Sequence, residues 1–299
     1  MRVFVSILDF NGEENTIDCL RSLEKVSRDN FDLKVLAIDN ASEKELKLPF
    51  FSGLDVVLIR NKENLGFSGG HNVGIRYAID NEADYILILN NDTIVDKNLI
   101  SELVKSFKNN IGIVAPRIYF AKGHEFYKNR YRKEDSGRVF WYAGGVMDWG
   151  NVIGRHRGVD EVDKGQYKKM ESTDFASGAC MMVKREVFEK VGPFDEKYFL
   201  YYEDNDLSQR AKRLKFGIIY NPKAILWHKN AGSVGGSGSN LQDYYITRNR
   251  MLFGLKFAPF RSKASLVRES IKLLRSGRFW QKKGILDFYI GKFGKGSYG

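Results

Sequence analysis

No run of 18 uncharged apolar residues occurs among the 299 positions, so no segment is predicted to cross a membrane as a helix. The N-terminal MRVFVSILDFNG resembles a signal peptide only superficially. Its apolar run is short, Asp9 and Asn11 interrupt it, and no small-residue cleavage site follows. Cysteine is nearly absent: Cys19 falls in a helical pattern and Cys180 in an apolar run, without ligand-like spacing. Free buried thiols are therefore expected in preference to a disulfide, with a reducing cytoplasm as the default setting. Two nucleotide signatures are missing as well. Neither G-x-G-x-x-G nor the P-loop pattern with its Lys-Ser/Thr occurs, which disfavours nicotinamide and P-loop chemistry. There is no internal repeat.

Acidic residues are in short supply, but only at one end. The net charge is +11, and from Leu255 to Gly299 eleven Lys/Arg face only Glu269 and Asp287. The tail thus holds nine of the eleven net charges, and the body is nearly neutral. A nucleic-acid enzyme would carry such charge around its cleft, so no nucleic-acid partner is expected. What the chain has in quantity is apolar residue, 43% against 28% charged, the balance of a folded protein and not a disordered one. Its length allows one large α/β domain, or one domain with an appendage, around a sizeable core.

Strand and helix signals alternate through the first 115 residues. VFVSILDF (3–10), LKVLAIDNAS (33–42), DVVLIRN (55–61) and YILILNND (85–92) read as apolar, β-branched strands, and IGIVAPRI (111–118) as a fifth. Helical spacing appears over Glu14–Val26, Ile75–Asn81 and Lys97–Lys108, with the Gly-rich NLGFSGGHNVG (64–74) as a strand-to-helix loop. This pattern predicts a mostly parallel, Rossmann-like sheet covered on both faces by helices. Ligands of such sheets bind beyond the carboxyl ends of the strands, and three strands end there in polar side chains: Asp9/Asn11, Asp39/Asn40 and Asn90/Asn91/Asp92. Residues 119–170, with their charge, Tyr and Gly, suggest long loops or a short hairpin around WYAGGVMDWGNVIG. A helix marked by Leu207, Ala211 and Leu214 follows YFLYYEDNDL, entered through Asn205/Asp206, and AGSVGGSGSN (231–240) reads as a mobile loop.

Each polar candidate admits a second reading. Asn90-Asn91-Asp92 at a strand end either delivers a carboxylate to a Mg²⁺ or Mn²⁺ bridging diphosphate oxygens, or is an ordinary turn. Asp39 either contacts a ribose or base or caps the next helix. The glycines of 64–74 let backbone approach a nucleotide, with His71 read as a loop or capping residue. Glu203, Asp204 and Asp206 follow a dense aromatic approach that can raise a carboxyl pKa to suit a proton acceptor; the alternative is helix capping. His228 suits a metal or phosphate, or is structural. Arg248 and Arg250 could neutralise a diphosphate, or lie on a solvated helix face.

The order of these elements carries more than any one of them. Strand-end Asp39, N-L-G-x-x-x-G-x-N (64–72), N-N-D (90–92), S-G-A-x-M (177–181), F-D-E (194–196), E-D-x-D-L (203–207), W-H (227–228) and R-N (248–249) together resemble a family 2 glycosyltransferase of the GT-A fold, rhamnosyltransferase-like branch, over residues 1–255. The resemblance implies a nucleoside contact at Asp39, donor-side contacts from Asn11, Asn64, Gly66 and Asn72, and Asn90-Asn91-Asp92 at the DXD position with Asp92 as metal ligand. Asp204 then matches the general base, His228 the histidine near metal and diphosphate, and Arg248 a diphosphate contact. Q-x-x-R-W of processive relatives is absent, so a non-processive enzyme is expected; a single displacement by the acceptor hydroxyl from the opposite face makes it inverting, with dTDP- or UDP-linked sugar donors and a glycan or lipid-linked acceptor. Trp141, Gly144, Gly145 and Trp149 form a candidate acceptor wall, with Glu203 a further acceptor-side candidate; both tryptophans could equally be core. A sugar nucleotidyltransferase would show a Gly-rich first loop where this chain has Asp9-Phe10-Asn11-Gly12, and a non-catalytic sugar- or polyanion-binding protein would have no use for Asp92, Asp204 and His228 together.

The tail, 256–299, mixes Phe, Leu, Ile and Trp with Lys and Arg at roughly helical spacing. A basic amphipathic extension lying on an anionic membrane surface is expected; the alternatives are packing on the catalytic domain or a homodimer interface.

Overall fold

A computed structural model describes residues 1–28, 30–127, 130–230 and 238–298. The N-terminal half is β1 (Arg2–Asp9), α1 (Glu13–Glu24), β2 (Asp32–Asp39), β3 (Asp55–Arg60), α2 (Gly66–Asp80), β4 (Tyr85–Asn90), β5 (Thr93–Val95), α3 (Leu99–Lys105) and β6 (Ile111–Phe120). β1 is flanked in parallel by β2 and β4, and β3 lies beyond β2. Val3, Val5, Ile7, Val35, Leu36, Leu87 and Leu89 are wholly buried, consistent with continuous apolar runs covered on both faces.

The second half comprises β7 (Phe140–Tyr142), β8 (Gly145–Asp148), β9 (Ile153–His156), β10 (Glu171–Ser172), β11 (Cys180–Lys184), α4 (Arg185–Val191), α5 (Glu203–Arg213) and β12 (Gly217–His228). The sheet order is β10-β12-β6-β11-β4-β1-β2-β3, with β5 paired to β12 and β7 to β6. β6 and β12 run parallel. The sheet is mixed: β11 is antiparallel to both neighbours, β4 and β6, and the short strands β5, β7 and β10 also pair antiparallel, with β12, β6 and β12. The expected hairpin in 119–170 is β8–β9, a separate two-stranded sheet. Cys19 and Cys180 are buried free thiols.

The Gly-rich stretch is not a loop but the first half of α2. A Cβ at Gly70 would lie 2.4 Å from the Leu8 side chain, and one at Gly74 would lie 2.5 Å from Ser6 Oγ and 2.8 Å from Ile38. Glycine therefore lets the helix sink onto β1 and β2, where any side chain would hold it off. His71 rides inward on the same helix, with Nδ1 2.9 Å from Ser6 Oγ and its ring 4.4 Å from that of Phe67. It is neither ligand nor cap.

Three helices follow β12: α6 (Asn240–Phe257), α7 (Phe260–Ser276) and α8 (Phe279–Tyr289). The expected break at 255 falls inside the last turn of α6. α8 lies so close to α6 that a Cβ at Gly284 would meet Tyr244 O at 2.6 Å, and Ile285 and Asp287 are buried there. Arg250 forms a two-pronged pair with Glu269 at 2.7 and 2.9 Å, tying α7 to α6. The tail thus packs on the body by one side. No helix among the described residues is long and apolar enough to cross a membrane.

Candidate active site

The strand ends meet as the sequence predicts, but most of their polar groups are already engaged with each other. Asp9 closes β1 with 1% exposure and accepts from Thr16 Oγ1 (2.6 Å), Asn91 Nδ2 (3.1 Å) and Ser42 Oγ (3.1 Å). Asp39 closes β2 and accepts from Ser42 N (2.8 Å), Leu46 N (3.1 Å) and the Arg60 guanidinium. Burial alone would raise the Asp39 pKa; these donors and the Arg60 charge outweigh it and hold the carboxyl below its ordinary value. An anionic Asp39 with Arg60 beside it therefore stands at the end of β2. Asn11, at φ 56°, accepts from Glu43 N and so fixes the loop that wraps Asp39.

The triplet that ends β4 divides its labour. Asn91 donates to Asp9 and Thr16 and is a structural tie. Asn90 and Asp92 instead face His228, the last residue of β12. His228 Nε2 lies 3.0 Å from Asp92 Oδ1 and 3.4 Å from Asn90 Nδ2, and all but 5% of the histidine is buried. Antiparallel pairing of β5 with β12 places Thr93 opposite His228, and Lys229 N donates to Asp92 O at 2.8 Å, so backbone geometry fixes the pair. Trp141 packs its ring 4.6 Å from that of His228 and 4.4 Å from that of His156.

Asp204 reaches the same region through β11. Its Oδ2 accepts from Gly178 N (3.0 Å), and Asn90 N donates to Ala179 O (2.9 Å), so two bonds span from β4 to the α5 carboxylate. Asn205 N and Nδ2 hold Oδ1 at 2.7 and 2.8 Å. Asp204 keeps partial access to solvent, yet the protein around it pushes its pKa up despite these three donors. Glu203 behaves differently. It is buried, one carboxyl oxygen has no partner among the described residues, and desolvation with the Asp204 and Asp206 charges drives its pKa well above the glutamate range. An inward glutamic acid beside a more accessible aspartate separates two adjacent acids by environment. Its expected place on the acceptor side is corrected accordingly.

Other expectations also change. Asn64 Oδ1 accepts from Asn40 Nδ2 and Gly66 N, a loop brace. Asn72 is fully engaged, donating to Phe194 O and Glu196 and accepting from Phe194 N. Gly66, at φ +70°, has Phe199 where a Cβ would stand, 2.5 Å from its ring and its carbonyl. Gly145 is likewise buried against the Phe175 ring, 2.5 Å from a Cβ. Trp149 stacks on Phe253 and packs, partly buried, against the core. Arg248 is the largest departure: it is wholly buried, and all five of its N–H donors are taken by Asn249 Oδ1, Tyr244 Oη and the carbonyls of Gly294, Lys197 and Tyr198. None remains for a diphosphate. The approach to Asp204 is strained, with Phe199, Tyr201 and Tyr202 at φ 61°, 70° and 75°, each costing about 1–3 kcal/mol. The expected lid falls largely on residues 231–237, outside the described ones. Arg60, Asn205 and His156 were not legible as site residues, because no local motif surrounds them; Asp9 was legible only as one more polar strand end.

A mixed α/β sheet with helices on both faces and acids converging at its carboxyl edge is the GT-A glycosyltransferase fold. A solved structure of that fold, GalNAc-T7 with UDP, GalNAc and Mn²⁺, aligns with a TM-score of 0.61 at 15% identity, covering 97% of this chain and 57% of that one. The chain belongs to glycosyl transferase family 2, whose family model matches residues 5–192. It is 28% identical over 250 residues to the low-salt glycan biosynthesis hexosyltransferase Agl10 of Haloferax volcanii, 83% of this chain and 74% of that protein. It is 25% identical over 259 residues to the dTDP-rhamnosyl transferase RfbF of Shigella flexneri, 84% and 79% respectively. The chain is a glycosyltransferase.

Proposed function

We propose that this glycosyltransferase is inverting, metal-dependent and non-processive, and that it moves rhamnose or a hexose from a dTDP- or UDP-linked donor to a glycan or lipid-linked saccharide in cell-surface polysaccharide synthesis. The observation that carries the reading is the convergence of the Asp92–His228 pair and Asp204, bridged through Asn90, Ala179 and Gly178. The named relatives, one hexosyl- and one dTDP-rhamnosyl transferase, support the donor class.

A carboxylate oxygen and an imidazole nitrogen 3.0 Å apart make a donor set that suits Mg²⁺ or Mn²⁺, and no cluster of three such ligands occurs among the described residues. Asp92 and His228 would hold the ion, leaving the rest of its shell to diphosphate and water. The ion would neutralise charge on the departing nucleoside diphosphate. Asp39 and Arg60 stand ready for the nucleoside. Asp204 takes the proton of the acceptor hydroxyl as its oxygen bonds the anomeric carbon; the bond to the diphosphate breaks on the opposite face, so configuration inverts. Trp141, partly buried beside His228, is suited to stack on a sugar ring.

The outer surfaces of α7 and α8 support a peripheral seat on the membrane, which we place on the inner face of the cell membrane. Phe260 (84% exposed), Phe279 (71%) and Ile290 (71%), at the ends of these helices, and the cationic Arg268, Lys272 and Arg275 of α7 supply exposed apolar and basic side chains, a mixture suited to an anionic lipid surface and a lipid-linked acceptor. Calorimetry with UDP, dTDP and GDP, with and without Mn²⁺, tests the site. Metal-dependent tightening for one nucleotide, lost in Asp92→Ala, is expected; absence of binding to all three would overturn the assignment.

A further inference from the structure

We propose that Arg248 and Asn249 are positioning residues for the transfer: they clamp the left-handed segment 197–202 in the conformation that presents Asp204. The inference rests on reading Asp204 as the base. Five consecutive carbonyls of this segment are accounted for. Asn249 Nδ2 donates to Tyr198 O (2.8 Å), Leu200 O (2.8 Å) and Tyr201 O (2.9 Å). Arg248 Nη2 donates to Lys197 O and Tyr198 O, both at 3.1 Å. The remaining carbonyl, of Phe199, points the other way and accepts from Phe67 N (2.7 Å) and Ser68 N (3.3 Å) in the first turn of α2. Phe199 itself stacks on Tyr245 of α6, ring centroids 5.2 Å apart.

The two clamp residues are interlocked. Arg248 Nε donates to Asn249 Oδ1 at 3.0 Å, which fixes the amide so that its NH₂ faces the carbonyls. Arg248 Nη1 takes Gly294 O at 2.8 Å, and Gly294 N returns to Lys197 O at 3.0 Å, so the end of the tail closes the arrangement. Three non-glycine residues in the left-handed region within four positions hold only where surrounding bonds over-determine them. Tyr202 is the N-cap of α5, and Asp204 lies two residues on. A displacement of this segment moves the base relative to Gly178, and about 1 Å of misplacement is enough to slow a reaction on the order of 100-fold.

Asn249→Asp tests this with little change of shape, because it turns the two donors into acceptors facing carbonyls. Hydrogen exchange and turnover of dTDP-rhamnose and UDP-glucose would be compared with wild type. Exchange is expected to rise about tenfold or more in 198–205 and at Phe67 and Ser68, with β1 and β4 unchanged. Nucleotide release should fall roughly 100-fold in kcat, while the Kd for dTDP or UDP with Mn²⁺ stays within about twofold. Arg248→Lys, which keeps the charge and removes the fork, should show the same pattern more weakly, and it carries the test should Asn249→Asp not fold. Unchanged exchange in 198–205, or a rise spread evenly along the chain, would overturn the clamp; so would normal kcat in a folded variant. Failure of wild type to bind or turn over any nucleotide sugar sinks the transferase chemistry instead, and leaves the exchange result to judge the clamp.

Discussion

Asp92 and His228 are neighbours because β5 and β12 run antiparallel with Thr93 opposite His228, which brings the carboxylate within 3.0 Å of the imidazole. Both are largely buried, and backbone bonds on either side hold them. The pair is preorganised, not assembled by loops.

That geometry sets the first prediction. Asp92→Ala should weaken Mn²⁺-dependent nucleotide binding at least about 10- to 100-fold, the range seen when even outer contacts of a metal site are lost. His228→Ala should act in the same direction, and titration calorimetry with and without Mn²⁺ reads both.

Asp204→Asn keeps the shape of the side chain but exchanges one accepting oxygen for an NH₂, so it retains the bonds from Asn205 or the one from Gly178 but not both, and it cannot accept a proton. A loss of about 10²- to 10⁴-fold in kcat is expected at unchanged donor affinity. Because burial raises the Asp204 pKa, the working carboxylate appears only above a pH higher than its ordinary 3.8, and kcat should fall as pH drops through that raised value. The sign for stability is opposite: the protonated forms of Asp204 and Glu203 suit the fold, so their contribution is full below their ordinary pKa values and is lost as pH rises. A kcat–pH profile beside chemical denaturation at several pH values separates the two.

His71 gives an acid limb of its own. Burial depresses its pKa from 6.5 to about 3, so the unfolded chain binds a proton that the fold refuses. Stability is fully present above about pH 6.5 and should decline below it by up to ~1.4 kcal/mol per pH unit. His71→Gln should flatten that limb in urea denaturation between pH 6.5 and 4.

Gly66→Ala would set a methyl against Phe199 in a left-handed backbone position. A loss of about 1–3 kcal/mol is expected, read as a lowered Tm.

On vesicles, binding should require anionic lipid. Replacing Arg268, Lys272 and Arg275 by Glu should weaken it by at least about fivefold per charge, from roughly 1 kcal/mol each. Phe260→Ser with Phe279→Ser should weaken it further without altering nucleotide binding. Equal binding to neutral vesicles would refute the charged face, and no binding to either would refute the membrane seat.

Much of this was legible in the chain. Apolar runs closing on Asp9, Asp39 and Asn90–Asp92 located the strands and the edge where they converge, because a buried strand must end where water begins. What local pattern could not supply was partnership. Arg248 sits in a motif that looks suited to phosphate, yet its five donors meet carbonyls from distant segments. The glycines of α2 look like a nucleotide loop until Leu8, Ser6 and Ile38 are seen beneath them. Glu203 and Asp204 are chemically alike in sequence, and only their different burial tells the two environments apart.

The reversed strand in the middle of the sheet also dictates an order of assembly. Met182 pairs with both Leu87 and Val114, and Val183 with both Ile86 and Ile113, so β11 fills a slot between two strands made long before it. At about 5–20 residues per second, synthesis from the end of β6 at Phe120 to Cys180 takes roughly 3–12 s. Throughout that interval the nascent chain displays two apolar strand edges with nothing between them, a surface open to mispairing with other chains. Early closure of that slot by β11 is therefore the step on which a correctly paired sheet depends.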